Sequence, residues 1–303
     1  METKAKKLRR EGFVTGNLFG KEIRESIPLK IERKEAERLL RECMKGSQVL
    51  LDLEGTTYDV LVKEQNPVID VCGTTVAVAD QRGNDIYIFN EKGLVGNFKV
   101  EYTLTKIRVT KQGVVAAILE DGDVTWINVY DSQGNIIVKN KTSVGKAGYP
   151  LDMDISSDGL KMMVSFAGIQ NQMLESKVDF YNFSSVGKDQ ENNLVKEVSY
   201  EGSVIPEVQF MDSDYAVAFR DAGASVFYGK HVPEEKKEIA VEKEIVSTFY
   251  DESYFGIVTE NGQEENTHKY KVEVYRENGS RCFQAYFDME YTQIKICGEE
   301  IFF

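Results

Sequence analysis

The chain has 303 residues, 42% hydrophobic and 29% charged with only 5 Pro, a composition that sustains a packed core and excludes wholesale disorder. Residues 1–64 hold 14 basic and 12 acidic residues, whereas the remainder holds 23 basic and 38 acidic, a net of −15 that repels phosphate backbones and argues against nucleic acid as a partner of the larger part. No apolar run approaches the roughly 20 residues that cross a bilayer, no apolar h-region follows the basic start, and Cys43, Cys72, Cys282 and Cys297 form no CxxC pair and lie far from His231 and His268, so the expectation is a cytoplasmic chain with reduced thiols and no zinc site.

Residues 1–64 read as one small α+β module. The lead-in is basic, with Lys4, Lys6, Lys7, Arg9 and Arg10 against Glu2. Gly12 to Gly20 (GFVTGNLFG) is a short strand framed by glycines, and Ile27–Ile31 alternates apolar and polar residues, the period of a half-buried strand. A helix is predicted over 33–45, where Ala36, Leu39, Leu40 and Cys43 make one apolar stripe and Gly46 supplies the stop. Val49–Leu53 and Thr57–Val62 flank Glu54-Gly55-Thr56 as a hairpin.

These residues, KAKKLRREGFVTGNLFG, then IPLKIERKEAERLL, then KGSQVLLDLEGTTYDVLVKE, resemble the start of the bacterial large-subunit ribosomal protein that binds 5S ribosomal RNA, the general-stress Ctc family. The match covers about residues 4–64. It implies that the basic lead-in and the glycine-framed strand lie on RNA, with Lys7, Arg9 and Arg10 neutralising phosphates and Phe19 lying against sugar or base edges. The chain departs from that family in carrying Phe19 where Tyr is common and Thr15-Gly16 in place of a proline-containing stretch. The family's following strands do not continue past Glu64.

From residue 65 onward the pattern changes to an all-β repeat array. Alternating strands recur with anchors at Val71, Val109, Ile155, Phe210, Phe249 and Ile296, at intervals of 38, 46, 55, 39 and 47 residues, a mean of 45. That is the length of a four-stranded propeller blade. Within a unit, a tight turn such as Lys111-Gln112-Gly113 or Ser157-Asp158-Gly159 leads into a very apolar strand: Val76–Ala79, Val114–Leu119, Met162–Phe166, Tyr215–Phe219 or Tyr254–Val258. A third strand follows, and then a polar outer strand such as Asn135–Lys139 or Lys237–Val241, whose charges oppose edge pairing. The sixth unit stops after two strands, at Ile301-Phe302-Phe303. The expected fold is therefore mainly β: five four-stranded blades plus a partial sixth over 65–303, preceded by the α+β module of 1–64.

The stretches TVAVADQRGNDIYIFNEKG, GYPLDMDISSDG and VIPEVQFMDSDYAVAF resemble an uncharacterised bacterial propeller family, a domain of unknown function. Members of that family usually carry an N-terminal membrane helix and display the propeller outside the membrane, so the resemblance implies envelope association. In this chain the ribosomal-like segment stands in that helix's place.

Several motifs read as structural. Asp152, Asp154 and Asp158-Gly159 look like the start of a calcium loop, but the twelfth position is Met163, so the turn is that of a hairpin. Asp121-Gly122 is a turn. His231 and His268 have no nucleophile at a recognisable spacing. No catalytic residue, cofactor or metal is expected. Two functional readings result, both non-enzymatic. In one, residues 1–64 contact 5S ribosomal RNA and the propeller is an appended scaffold. In the other, the propeller binds a protein or glycan and the N-terminal piece is inert.

Overall fold

The computed structural model describes residues 13–18, 27–35, 48–53, 56–61, 67–170, 172–261 and 268–303. The chain divides into two compact units, Met1–Gln65 and Asn66–Phe303.

In the first unit β1 (Phe13–Leu18) and β2 (Ile27–Glu32) pair antiparallel, with Thr15 opposite Lys30. The alternation read in the sequence is the alternation of burial: Ile27, Leu29 and Ile31 are half-buried and the residues between them exposed. Lys30 Nζ lies 3.6 Å from the centroid of the Phe13 ring, a cation–π contact at the strand end. Residues 33–35 are helical where the helix is predicted to begin, and its continuation over 36–45 lies outside the described residues. A second antiparallel pair, β3 (Gln48–Leu53) and β4 (Thr56–Leu61), forms the predicted hairpin.

The second unit is a succession of antiparallel meanders. The first is β5 (Pro67–Cys72), β6 (Thr75–Asp80), β7 (Asp85–Asn90) and β8 (Gly93–Lys99). The second is β9 (Thr103–Val109), β10 (Val115–Asp121), β11 (Val124–Tyr130) and β12 (Ile136–Ser143), followed by the four-residue helix α1 (Val144–Ala147). The third is β13 (Tyr149–Ile155), β14 (Lys161–Gln170), β15 (Met173–Asn182) and β16 (Leu194–Glu201). The fourth is β17 (Glu207–Phe210), β18 (Tyr215–Arg220), β19 (Gly223–Tyr228) and β20 (Glu234–Ala240). The fifth is β21 (Ile245–Tyr250), β22 (Tyr254–Glu260), β23 (Tyr270–Arg276) and β24 (Arg281–Phe287), and a two-stranded sixth consists of β25 (Lys295–Cys297) and β26 (Glu300–Phe302). Each anchor residue read from the sequence falls in the first strand of its sheet.

The cores lie between sheets rather than within them. Val115, Ala117 and Leu119 of β10 pack toward the first sheet with Ala77, Ile86 and Ile88. Ala116 and Ile118 of the same strand pack toward the third sheet with Met153, Met162 and Val164. Further clusters join the third sheet to the fourth, the fourth to the fifth, and the fifth to the two-stranded sixth. A strand covered on both faces has no polar face to alternate with, which is why these strands read as near-continuous apolar runs. Aromatic pairs rivet the seams, including Phe180–Phe227 at 4.9 Å and Phe219–Phe255 at 5.9 Å between ring centroids.

The third unit, the longest in the sequence, owes its length to two features. β14 and β15 run ten residues each, longer than the predicted strands, and a connection over 183–193 contains a single 3-10 turn at Glu191–Asn193. The first sheet keeps an uncovered apolar face: Ile69, Val71 and Leu94 are 59%, 60% and 56% exposed.

Candidate functional site

The first strands of successive sheets lie side by side, β5 with β9, β9 with β13, β13 with β17 and β21 with β25. Such an edge strand leaves backbone N–H groups with no ladder partner. Carboxylates from the neighbouring sheet take them. Asp70 Oδ2 accepts the Val109 N–H at 2.6 Å, Asp152 Oδ2 the Val208 N–H at 3.0 Å, Asp154 Oδ2 the Phe210 N–H at 2.7 Å and Asp251 Oδ2 the Gly298 N–H at 2.9 Å. Between the fourth and fifth sheets the Thr248 hydroxyl donates to Glu207 Oε2 at 2.5 Å. Between the second and third the bond is ionic: Arg108 Nη2 lies 3.1 Å from Asp152 Oδ1 and its Nε 3.5 Å from Asp154 Oδ1, with Lys106 Nζ 2.7 Å from Asp152 Oδ1.

Of these groups, Asp70, Arg108, Asp154 and Asp251 line a crevice of about 350 Å³, together with Gln209, Tyr250 and Glu252 among others. Burial pushes Asp154 up to about 7 although Arg108 and the Phe210 N–H pull the other way, and burial likewise raises Asp70. Burial opposes the charge of Arg108, but Asp152, Asp154 and Asp70 outweigh it and hold its pKa above the ordinary value. Burial, with Glu207 adding, raises the Tyr250 phenol. Of the carboxylates of the crevice, Asp70, Asp154 and Asp251 accept backbone donors from neighbouring sheets, Asp154 also meets Arg108, and Glu252 pairs with Lys111 Nζ at 2.8 Å. That is the work of fastening sheets together. Among the described residues no group of three or more His, Cys, Asp and Glu side chains is assembled to hold a metal ion.

Lys7, Arg9, Arg10 and Phe19, the residues assigned to RNA by resemblance, lie outside the described residues. His231 contributes its backbone carbonyl to Asn182 Nδ2 at 2.7 Å, and the exposed His268 places Nδ1 2.8 Å from Asp288 Oδ2. Cys72, Cys282 and Cys297 are free thiols. Asp158 caps its own turn, accepting the Ser156 hydroxyl at 2.6 Å and the Leu160 N–H at 3.0 Å. Asp152 and Asp154, taken from the sequence as part of a hairpin start, are the central acceptors of the seams. Their one legible sign is an Asp-x-Asp pair within an apolar strand. Among the described residues no helix is long and apolar enough to cross a membrane.

Comparison with known proteins separates two similarities that overlap. Residues 2–68 match the Ribosomal L25p family. The large ribosomal subunit protein bL25 of Thermoanaerobacter sp. (strain X514) is 37% identical over 62 residues, 20% of this chain and 30% of the relative, and bL25 of Caldanaerobacter subterraneus subsp. tengcongensis matches to the same extent. The chain thus spans less than a third of the length of these curated relatives. Among solved structures, the β-propeller domain of the Trilobed protease from Pyrococcus furiosus superposes with a TM-score of 0.51 at 15% identity, over 79% of this chain and 78% of that one. The Pyrococcus horikoshii acylaminoacyl peptidase gives 0.50 at 11% identity, over 78% of this chain and 42% of that one. At such identities the fold alone is shared: the four-stranded sheets are propeller blades. With residues 45–303 matching the family of unknown function DUF5711, a span that takes in the β3–β4 hairpin as well as every blade, the chain belongs to that family.

Proposed function

We propose that this chain is a non-enzymatic binding protein whose N-terminal segment contacts 5S ribosomal RNA, with the blades as an appended interaction scaffold. The observation that carries the reading is the Ribosomal L25p match over residues 2–68, which includes the basic lead-in. In this reading Lys7, Arg9 and Arg10 sit on phosphates and Phe19 against a sugar or base, and the chain works in the cytoplasm. The test is binding of the full chain to a 5S ribosomal RNA fragment at two salt concentrations. The double substitution Arg9→Ala with Arg10→Ala should weaken binding and flatten the slope of log K against log salt by about 0.7–0.9 for each phosphate that is no longer neutralised. Absence of binding at low salt would end the RNA reading.

A second reading is favoured by the uncovered apolar face of β5–β8, where Ile69 and Val71 are 59% and 60% exposed. Large apolar patches of this kind mark protein contacts. Here the scaffold binds a protein, in the envelope as for the propeller relatives, and the N-terminal piece is inert. A photo-crosslinker placed at position 71 in cells should trap one discrete protein. Adducts no stronger than those from the exposed Lys236 position would dismiss this reading.

A further inference from the structure

The third strands of two blades carry the same six-residue pattern. β15 ends in Lys177-Val178-Asp179-Phe180-Tyr181-Asn182 and β23 in Lys271-Val272-Glu273-Val274-Tyr275-Arg276. Both strands also share a bulge in their pairing with the outer strand: the register shifts between Phe180 and Tyr181 in one and between Val274 and Tyr275 in the other. Positions can therefore be equated across the two blades. Glu197, opposite Asp179, corresponds to Gln284, opposite Glu273; Leu194, opposite Tyr181, corresponds to Arg281, opposite Tyr275.

The fifth blade completes its ion cluster from within. Both oxygens of the buried Glu273 are engaged: Oε2 by Lys271 Nζ at 3.1 Å and Oε1 by the Arg281 guanidinium. In the third blade the guanidinium is replaced by a leucine, and a second carboxylate is added. Lys177 Nζ alone serves both acids, at 2.6 Å from Glu197 Oε2 and 3.2 Å from Asp179 Oδ2, with the Tyr181 hydroxyl donating to the same Asp179 oxygen at 3.4 Å. Asp179 is 4% exposed, and its Oδ1 has no hydrogen-bond partner among the described residues. A buried carboxylate oxygen without a donor is costly. Burial, with Glu197 adding, pushes Asp179 up to about 6.

Asp179 belongs to the lining of a cleft of about 300 Å³ between the second and third blades, shared with Lys177, Tyr181, Leu194 and Glu197. The other wall comes from the second blade, where β12 and α1 supply Lys141 and Lys146. Gly148 lets this wall lie against β14: its φ is +86°, and a Cβ there would sit 2.5 Å from the Ala167 carbonyl oxygen.

We propose that this cleft is a binding site for a small guanidinium ligand, whose planar fork takes the place beside Asp179 and Glu197 that Arg281 fills beside Glu273. Guanidinium is the cation whose fixed N–H geometry meets carboxylates two at a time. The lysines on the second-blade wall favour a ligand that also carries a carboxylate, so free L-arginine is the probe.

The experiment is titration of the full-length protein with L-arginine and, separately, with the neutral isostere L-citrulline, followed by backbone amide NMR and calorimetry. The expected result is saturable binding of arginine with shifts at Lys146, Lys177 and Asp179. Citrulline should bind about tenfold more weakly or worse, the worth of one charge-assisted contact. Leu194→Arg should abolish arginine binding by supplying the fifth blade's own solution. Glu197→Gln, a conservative change at a half-exposed side chain, should weaken binding several-fold without unfolding the blade. No saturable arginine binding, citrulline binding as well as arginine, or undiminished binding in folded Leu194→Arg or Glu197→Gln protein would each overturn the proposal.

Discussion

Replacing Asp152 with Ala tests whether carboxylates at the first strands hold the blades together. The side chain is nearly inaccessible and serves three partners from two other sheets: Lys106 at 2.7 Å, Arg108 at 3.1 Å and the Val208 N–H at 3.0 Å. Removing one member of a buried ion pair costs about 3–5 kcal/mol, and a stranded buried N–H about 1–3 kcal/mol. The two do not add fully, because Asp154 remains 3.5 Å from Arg108 and keeps part of its charge compensated. A loss of about 4 kcal/mol is expected, a large share of the roughly 5–15 kcal/mol that domains possess. The melting temperature of the blade unit should fall by roughly 8–16 °C. The control is Asp85→Ala, which removes an exposed pair with Lys99 at 2.7 Å and should cost under about 1 kcal/mol. Urea denaturation followed by the fluorescence of Trp126, the sole tryptophan, reports on the second blade and hence on this unit. Amide exchange at Val208 should accelerate in the Asp152 variant. If Asp152→Ala destabilises no more than Asp85→Ala, the seam carboxylates do not carry the cohesion assigned to them.

Asp154 should give stability a pH dependence. Its folded carboxyl keeps its proton up to about pH 7, against a reference value of 3.8. Between those values the folded state binds more protons than the unfolded, so stability should fall as pH rises through the window and level off above it; Asp154→Asn should remove this component of unfolding free energy measured from pH 4 to 8, and an unchanged slope would contradict the burial argument. Gly148→Ala should destabilise by more than about 1 kcal/mol, because a positive φ and a backbone oxygen 2.5 Å away both oppose a Cβ, whereas Gly145→Ala has nothing within 4 Å to meet. Equal melting temperatures for the two glycine variants would refute that account.

How much of this was legible in the sequence follows from which interactions are local. Hairpin turns placed a glycine at positive φ, as at Gly113, Gly134, Gly159 and Gly279, and the strands between them are apolar because both faces are covered. Blade count, strand order and the half-length sixth unit could therefore be read from spacing. The elongated β14–β15 hairpin could not, since its outer residues are not packed: Ile169 and Met173, though apolar, are 80% and 58% exposed, so no burial pattern marks the strand ends. The seam bonds were equally hidden: Asp70 reaches Val109, and Asp152 and Asp154 reach residues 56 positions away.

The amino-acid sequence by itself determined the repeat, the blade as its unit and the ribosomal-like lead-in, because turn chemistry and burial act on residues a few positions apart. It also held the twin patterns KVDFYN and KVEVYR, but not their meaning. Only the tertiary structure decided that one of these acids is satisfied by an arginine of its own blade while the other lines a cleft with one oxygen unpartnered among the described residues. Partnership of that kind depends on which outer strand and which neighbouring blade close over a side chain. Those are contacts set by packing between sheets, and no local spacing encodes them.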